Sequence, residues 1–268
     1  MHVHFLDPYR PHPSPVHALD ARIKLLLTVA FILACALTPA GAWFVYVLLF
    51  AFILAVVILS ELGVVYVLKR SALALPFMLA AVPLLFTVQG SSIWSLTLGG
   101  LKLSISQEGL VRFLSITINS WLSGVAAIVL ASSTTFPDLL AAMRSLHIPR
   151  LLVSIFGLMW RYLFVLVDEA LRLQRARAAR SGELTQPGIK PGGSLAWRAR
   201  VTGGMAGNLF LRGLERSDRI YLAMVSRGYD GEVRSFAPPP LRRLDWLVLW
   251  AGIVMLAALT ALGFLILG

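Results

Sequence analysis

The sequence predicts an all-α integral membrane protein, with about five transmembrane helices plus a cytoplasmic-side module of long amphipathic helices. Three observations carry this prediction. Of the 268 residues, 58% are hydrophobic and only 14% charged, at a mean hydropathy of +0.79; a soluble domain carries about a quarter charged residues. The apolar residues fall into runs close to the roughly 20 that a membrane crossing needs. The cations are clustered: 17 of the 24 Lys and Arg lie between residues 140 and 243, together with 7 of the 13 acids.

Residues 1–22 form a leader holding four of the five histidines, His2, His4, His12 and His17. Arg22 and Lys24, the apolar run that follows and Ala40-Gly41-Ala42 mimic a secretory signal with its cleavage site. The positive charge comes too late and a second apolar run follows at once, so the segment reads as a retained first helix. Residues 23–131 then hold four spans, centred on Leu25–Leu37, Trp43–Leu59, Ala72–Val88 and Leu110–Ala131. The third contains Pro76 and Pro83, which membranes tolerate where neighbours satisfy the freed carbonyls. Between the third and fourth, "QGSSIWSLTLGGLKLSISQE" alternates apolar with small polar residues, a strand-like pattern suited to an external loop or hairpin.

Charge bias sets the orientation. Arg22 and Lys24 hold the N-terminus inside; each later pair of crossings returns the chain inside, at Lys69-Arg70 and again near Ser132. Leu151–Val167 is a sixth apolar stretch with Arg161 in its middle, where a cation costs about 2.5–3.5 kcal/mol. A crossing there would put Arg172 through Arg243 outside, against the strongest charge block in the chain. We therefore expect it not to cross. Residues 132–243 then form one cytoplasmic module, broken by the Pro/Gly turn "PGIKPGGS" at 187–194, and residues 244–268 supply the last span.

Composition excludes several functions. A basic block beside spanning helices is the ordinary signature of cytoplasm and anionic lipid, and no zinc-finger spacing or ribonucleoprotein motif accompanies it, so nucleic acid is not expected as a partner. Cys35 is the single cysteine, which rules out a disulfide within the chain. No G-x4-G-K-[ST] occurs, so the chain has no phosphate-binding loop of that kind. Nothing resembles a catalytic constellation. The leader histidines suit Ni, Co or Zn in principle, but no carboxylate or Cys is fixed beside them, and no metal site is expected. Glu61, Glu108 and Asp138 sit at segment ends, where carboxylates are solvated, and Asp168-Glu169 are placed to pair with Arg172 by helical spacing.

Within the module one pattern occurs twice. Arg172, Ala176 and Arg180 repeat the spacing Arg-x3-Ala-x3-Arg found at Arg219, Ala223 and Arg227. Steps of four lie along one helical stripe, so the two arginines of each set stand about 12 Å apart with a small residue between them. A stripe of that kind lets another backbone approach while guanidinium groups reach carboxylates or carbonyls beyond it. Each stripe ends at a helix stop, Ser181-Gly182 and Gly228. Taken singly, each terminal arginine is an ordinary helix-end cation favoured by the macrodipole; the pairing suggests docking elements.

On these residues the chain resembles the T component of energy-coupling factor (ECF) transporters, the EcfT/CbiQ type. The family's two Ala-Arg-Gly-like motifs correspond to Ala179-Arg180-Ser181 and Ser226-Arg227-Gly228. The opening "SPVHALDARIKLLLTVAFILACALTP", "IPRLL" at Ile148–Leu152 and "RYLFVLVDEALRLQRARAARSG" carry the same likeness, which covers about residues 14 to 265. Ser181 stands where Gly is usual, and Ser226 where Ala is usual.

The resemblance implies a coupling subunit in the cell inner (plasma) membrane, multi-pass, with its coupling domain cytoplasmic. Its partners would be the lipid bilayer, two ABC-type ATPase subunits and a membrane substrate-binding S component, CbiM-like if the cargo is cobalt. Arg180 and Arg227 would enter grooves on the two ATPases, Ala179 and Ser226 would permit close packing, and Ser181 and Gly228 would end the helices. Arg172, Ala176, Arg219 and Ala223 would support the stripes. No cofactor is expected on this chain, since ATP and Mg would be bound by the partner ATPases. Cobalt or nickel is the expected cargo; a shared T component of a vitamin importer is the alternative. A self-contained secondary transporter fits less well, because it would want charged residues within its spans.

Overall fold

The structure, a computed structural model, describes residues 8–72, 75–88, 92–98, 101–180, 194–231 and 240–267. The chain forms two compact units: Asp7–Leu146 with Pro238–Gly268, and His147–Ala237 with Met1–Leu6.

The first unit is a helix bundle. A short turn, α1 (Pro15–Ala18), leads into α2 (Ala21–Leu37), and α3 (Trp43–Leu59) and α4 (Val64–Ser71) follow. Asp20 caps α2 by accepting from the Arg22 N–H at 2.9 Å. Thr38 closes it, its hydroxyl and N–H both donating to the Ala34 carbonyl, and Pro39 prevents continuation. The expected span at Ala72–Val88 is two short helices, α5 (Leu75–Ala80) and α6 (Leu84–Thr87), with a turn between them. Pro83 lacks the N–H that would continue α5, and neither piece, at about 1.5 Å per residue, reaches across a bilayer. The alternating stretch beyond forms an antiparallel hairpin, β1 (Ser92–Leu98) and β2 (Leu101–Ser106), with Leu98 opposite Leu101 and Leu96 opposite Leu103.

Ser106 then caps α7 (Gln107–Ser133), its hydroxyl accepting from the Gly109 N–H at 2.9 Å. Thr135 caps α8 (Phe136–Ser145) in the same way, and α11 (Arg243–Leu267) completes the unit. The core is Phe31 and Cys35 of α2, Val45, Leu49 and Ile53 of α3, Leu122, Val125 and Val129 of α7, and Leu256 of α11. In lipid such packing is held by close contact rather than by exclusion of water, which favours small residues where helices cross. A Cβ on Gly252 of α11 would stand 2.5 Å from Leu27 Cδ2 of α2. There any Cβ would force the Leu27 side chain to shift.

These contacts fix the helix directions. Gly252 faces Leu27, and eleven residues later Gly263 lies against Pro39 and Val45, so α11 runs parallel to α2. Lys24, at the start of α2, donates its ammonium to the carbonyl of Ser133, the last residue of α7, at 2.9 Å. The helix α7 therefore opposes α2. One end of the bundle consequently gathers Arg22, Lys24, Arg242 and Arg243. Arg10 and Arg70 join it: the Arg10 guanidinium lies 3.7 Å from the centre of the Tyr66 ring, the Tyr66 hydroxyl accepts from Arg70 Nη1 at 2.7 Å, and the Arg10 N–H donates to Ser132 O at 3.0 Å.

The second unit is built on two 31-residue helices, α9 (Arg150–Arg180) and α10 (Leu195–Val225), each about 46 Å long. The apolar Leu151–Val167 is therefore the first part of one continuous helix whose far end is basic. Among the described residues three helices are long and apolar enough to cross a membrane by length and composition: α7, α9 and α11 to Ile266. Helix α3 is apolar but shorter, at 17 residues.

Candidate functional site

Helices α9 and α10 pack antiparallel. Leu166 touches the space beside Gly213, Glu169 pairs with Arg212, and Arg177 Nη1 donates to the Thr202 hydroxyl at 2.9 Å, so positions rise on one helix as they fall on the other. Between the polar cross-links lies a cleft lined by Ala170, Leu173, Met205, Ala206 and Leu209. The pairing of Glu169 with Arg212 replaces the expected local pair with Arg172. A guanidinium delivered across the crossing, itself oriented by Asn208 Oδ1 at 3.2 Å, occupies the carboxylate instead. That releases Arg172.

Antiparallel packing puts the two arginine motifs beyond opposite ends of the contact. Arg180 closes α9 just past the Arg177–Thr202 link. Arg227 follows α10 some 25 residues beyond Thr202, about 38 Å further along its axis. Arg172, Ala176, Ala179 and Arg180 on α9 are all exposed, as are Arg219, Ala223, Ser226, Arg227 and Gly228 at the end of α10. Among the described residues the side chains of Arg172, Arg180, Arg219 and Arg227 make no hydrogen bond or ion pair. Ser181 lies outside the described residues. Each stripe is thus a pair of exposed guanidinium groups flanking an exposed alanine, without a partner among the described residues.

The end of α10 is built in detail. Gly228 has φ +79, its N–H bonds Val225 O at 2.9 Å, and the Tyr229 N–H reaches back to Met224 O at 3.0 Å. This pair of bonds is the Schellman arrangement, with Gly228 in the left-handed position that a side chain disfavours. Ser226 donates its hydroxyl to Ala223 O at 3.0 Å, which leaves a small surface beside Arg227. Arg227 is thereby held on the last turn. Tyr229 supplies the backbone N–H that closes the cap.

His17 of the leader has a structural role. The Arg10 carbonyl, 2.9 Å from His17 Nε2, can only accept, so Nε2 carries the proton and Nδ1 accepts from the Ser14 hydroxyl at 2.6 Å. Both ring nitrogens of His17 are committed. Burial pushes its pKa below the usual histidine value, assisted by the charges of Lys24 and His12 and opposed by the bond to Arg10 O. His2 and His4 lie outside the described residues, and among those described no cluster of three metal-ligating side chains occurs.

The family model described as cobalt transport protein, CbiQ, matches residues 12–236. The chain belongs to that family. Related proteins carry the same label or a sister one. The cobalt transport protein CbiQ of Rhodobacter capsulatus is 26% identical over 187 residues, covering 70% of this chain and 72% of that protein. The energy-coupling factor transporter transmembrane protein EcfT of Thermosediminibacter oceani is 27% identical over 232 residues, 83% of each chain. A putative fused cobalt transport protein CbiMQ of Methanocorpusculum labreanum is 27% identical over 229 residues, which are 81% of this chain and 35% of the fused one. As a CbiQ-family member with several long apolar helices, the chain is a multi-pass membrane protein and a transporter component.

What sequence reasoning missed are the two links that hold the crossing, Glu169–Arg212 and Arg177–Thr202. Partners 43 and 25 positions apart leave no local spacing signal.

Proposed function

We propose that this chain is the transmembrane coupling (T) subunit of an ECF-type importer. It carries ATP-driven motion from two cytoplasmic ABC-type ATPases to a membrane substrate-binding subunit, with cobalt or nickel as cargo. The observation that carries this reading is the pair of exposed Arg-Ala-Arg stripes whose terminal arginines, Arg180 and Arg227, lie beyond opposite ends of the contact between two antiparallel helices. Two like stripes, far apart on a joined element, suit two like partners. Exposed guanidinium groups with no partner among the described residues can take carboxylates or carbonyls in each ATPase at little reorganisation cost. ATP and Mg are then handled by the ATPases, and this chain supplies leverage rather than chemistry.

Direction in the bundle supports the topology. A chain that leaves α8 and re-enters at α11, with α11 parallel to α2, crosses an even number of times in between. Non-crossing of 151–167 is the simplest such case, and it keeps the basic clusters on the cytoplasmic face. The large apolar side chains left exposed on α10, among them Phe210, Leu211, Leu214 and Leu222, suit the membrane interface or the substrate-binding subunit. The cobalt label of the family and the fusion with a CbiM segment in one relative favour a metal cargo over a vitamin.

Affinity purification of the tagged chain from its own cells tests the reading. Two ATPase copies and one small membrane protein should co-purify, and the complex should accumulate cobalt or nickel in an ATP-dependent way in liposomes. Transport by the chain alone, without ATP, would overturn it.

A further inference from the structure

A crevice of about 390 Å³ opens in the helix bundle between α2, α3, α7 and α11. Small-molecule pockets start at about 300 Å³. Its walls are apolar, with Phe31, Phe52, Ile53, Val129 and Met255 among them, and only Lys24, Thr28 and Ser133 bring polar side chains to it. The two hydroxyls are spent within their own helices: Thr28 donates to Lys24 O at 2.8 Å, and Ser133 to Leu130 O at 3.5 Å.

Lys24 differs. It is 9% exposed, and among the described residues its ammonium makes one hydrogen bond, to Ser133 O, out of three donors. The carboxylates of Asp20 and Asp138 influence it through space, but neither lies within ion-pair distance; Asp20 caps Arg22 N and Asp138 accepts from the Thr135 hydroxyl. A nearly buried ammonium without a counter-ion is costly, and it marks a place where an anion is welcome.

Position joins the two features. Lys24, Leu59, Ser133 and Val248 line the crevice at the basic end of the bundle, while Phe31 and Met255 lie deeper. From Lys24 to Phe31 the crevice follows α2 for seven residues, about 10 Å. An amphiphile with an anionic head at the basic end and a hydrocarbon tail fits both the charge and the lining. We propose that this crevice holds an anionic phospholipid, with one acyl chain between α2, α3, α7 and α11 and its phosphate at Lys24. The bilayer that surrounds the protein supplies the occupant, and Arg22 adds charge beside the headgroup. The proposal rests on the membrane location alone and not on the coupling reading.

Native mass spectrometry of the detergent-purified chain, titrated with short-chain phosphatidylglycerol, phosphatidylcholine or inorganic phosphate, tests it. Phosphatidylglycerol should bind about five- to tenfold more tightly than phosphatidylcholine, and inorganic phosphate should not displace it. Lys24→Gln should remove that preference. Lys24 also caps α7, so Ala251→Trp is the second variant: Ala251 lines the crevice and is exposed, and an indole there should abolish lipid retention while leaving helicity unchanged. Equal binding of the two lipids, displacement by phosphate, or full retention by a folded Ala251→Trp protein would each overturn the proposal.

Discussion

Glu169 of α9 and Arg212 of α10, 43 positions apart in sequence, form the ion pair that fastens the antiparallel crossing. Arg212 remains about half exposed and Glu169 a quarter exposed, so solvent screens the pair. A double-mutant cycle with Glu169→Gln and Arg212→Gln, read by thermal unfolding, should give a coupling of about 0.2–1 kcal/mol. A coupling indistinguishable from zero would mean that the pair does not fasten the crossing.

Gly228 carries the left-handed turn that ends α10. Gly228→Ala places a Cβ in a conformation that costs about 1–2 kcal/mol, although nothing lies within 4 Å to clash with it. We expect faster amide hydrogen exchange at residues 226–230 with little change elsewhere, and a milder effect for Gly228→Asn. Unchanged protection in the alanine variant would show that the cap is not what holds Arg227 in place.

His17 links the leader to stability through pH. Its folded pKa is lowered, chiefly by burial, so the unfolded chain binds the proton more readily. Stability is therefore full above the ordinary histidine range near 6.5 and falls as pH drops toward the folded value. The melting temperature of the native protein should decline between pH 7.5 and 5 more than that of His17→Gln. Parallel declines in the two proteins would contradict the assignment of a neutral, doubly bonded imidazole.

Parallel α2 and α11 make a topological prediction. In a Cys35→Ala background, Glu61→Cys and Arg243→Cys should react with an impermeant maleimide from one face of the membrane, and Trp43→Cys from the other. Labelling of Arg243→Cys together with Trp43→Cys would mean an odd number of crossings between α8 and α11.

The legible parts of this molecule were those with a local cause. Gly228 could be read as a helix stop because the left-handed cap selects glycine, and the arginine stripes because a spacing of four is a helical address. Hydropathy counted Ala72–Val88 as one span, since an average over the window is blind to where Pro83 removes a donor. Leu151–Val167 looked like a separate segment because its apolar composition stops before the helix does; the backbone continues to Arg180. Glu169 was matched to Arg172 because sequence offers only neighbours, while the partner that the fold supplies, Arg212, comes from another helix. The pairing of α9 with α10 and the crevice at Lys24 belong to that same class, being products of which helices meet.

The central claim is that Arg180 and Arg227 are the contacts through which two ATPases drive this chain. Its most direct measurement is the transport-coupled ATPase rate of the reconstituted complex carrying Arg180→Glu, Arg227→Glu or both. Loss of each contact should cost about 2–5 kcal/mol of docking energy, so each single variant should release one ATPase and lower the coupled rate at least tenfold, and the double variant should release both. Intact assembly with an unchanged ATPase rate in the double variant would contradict the account.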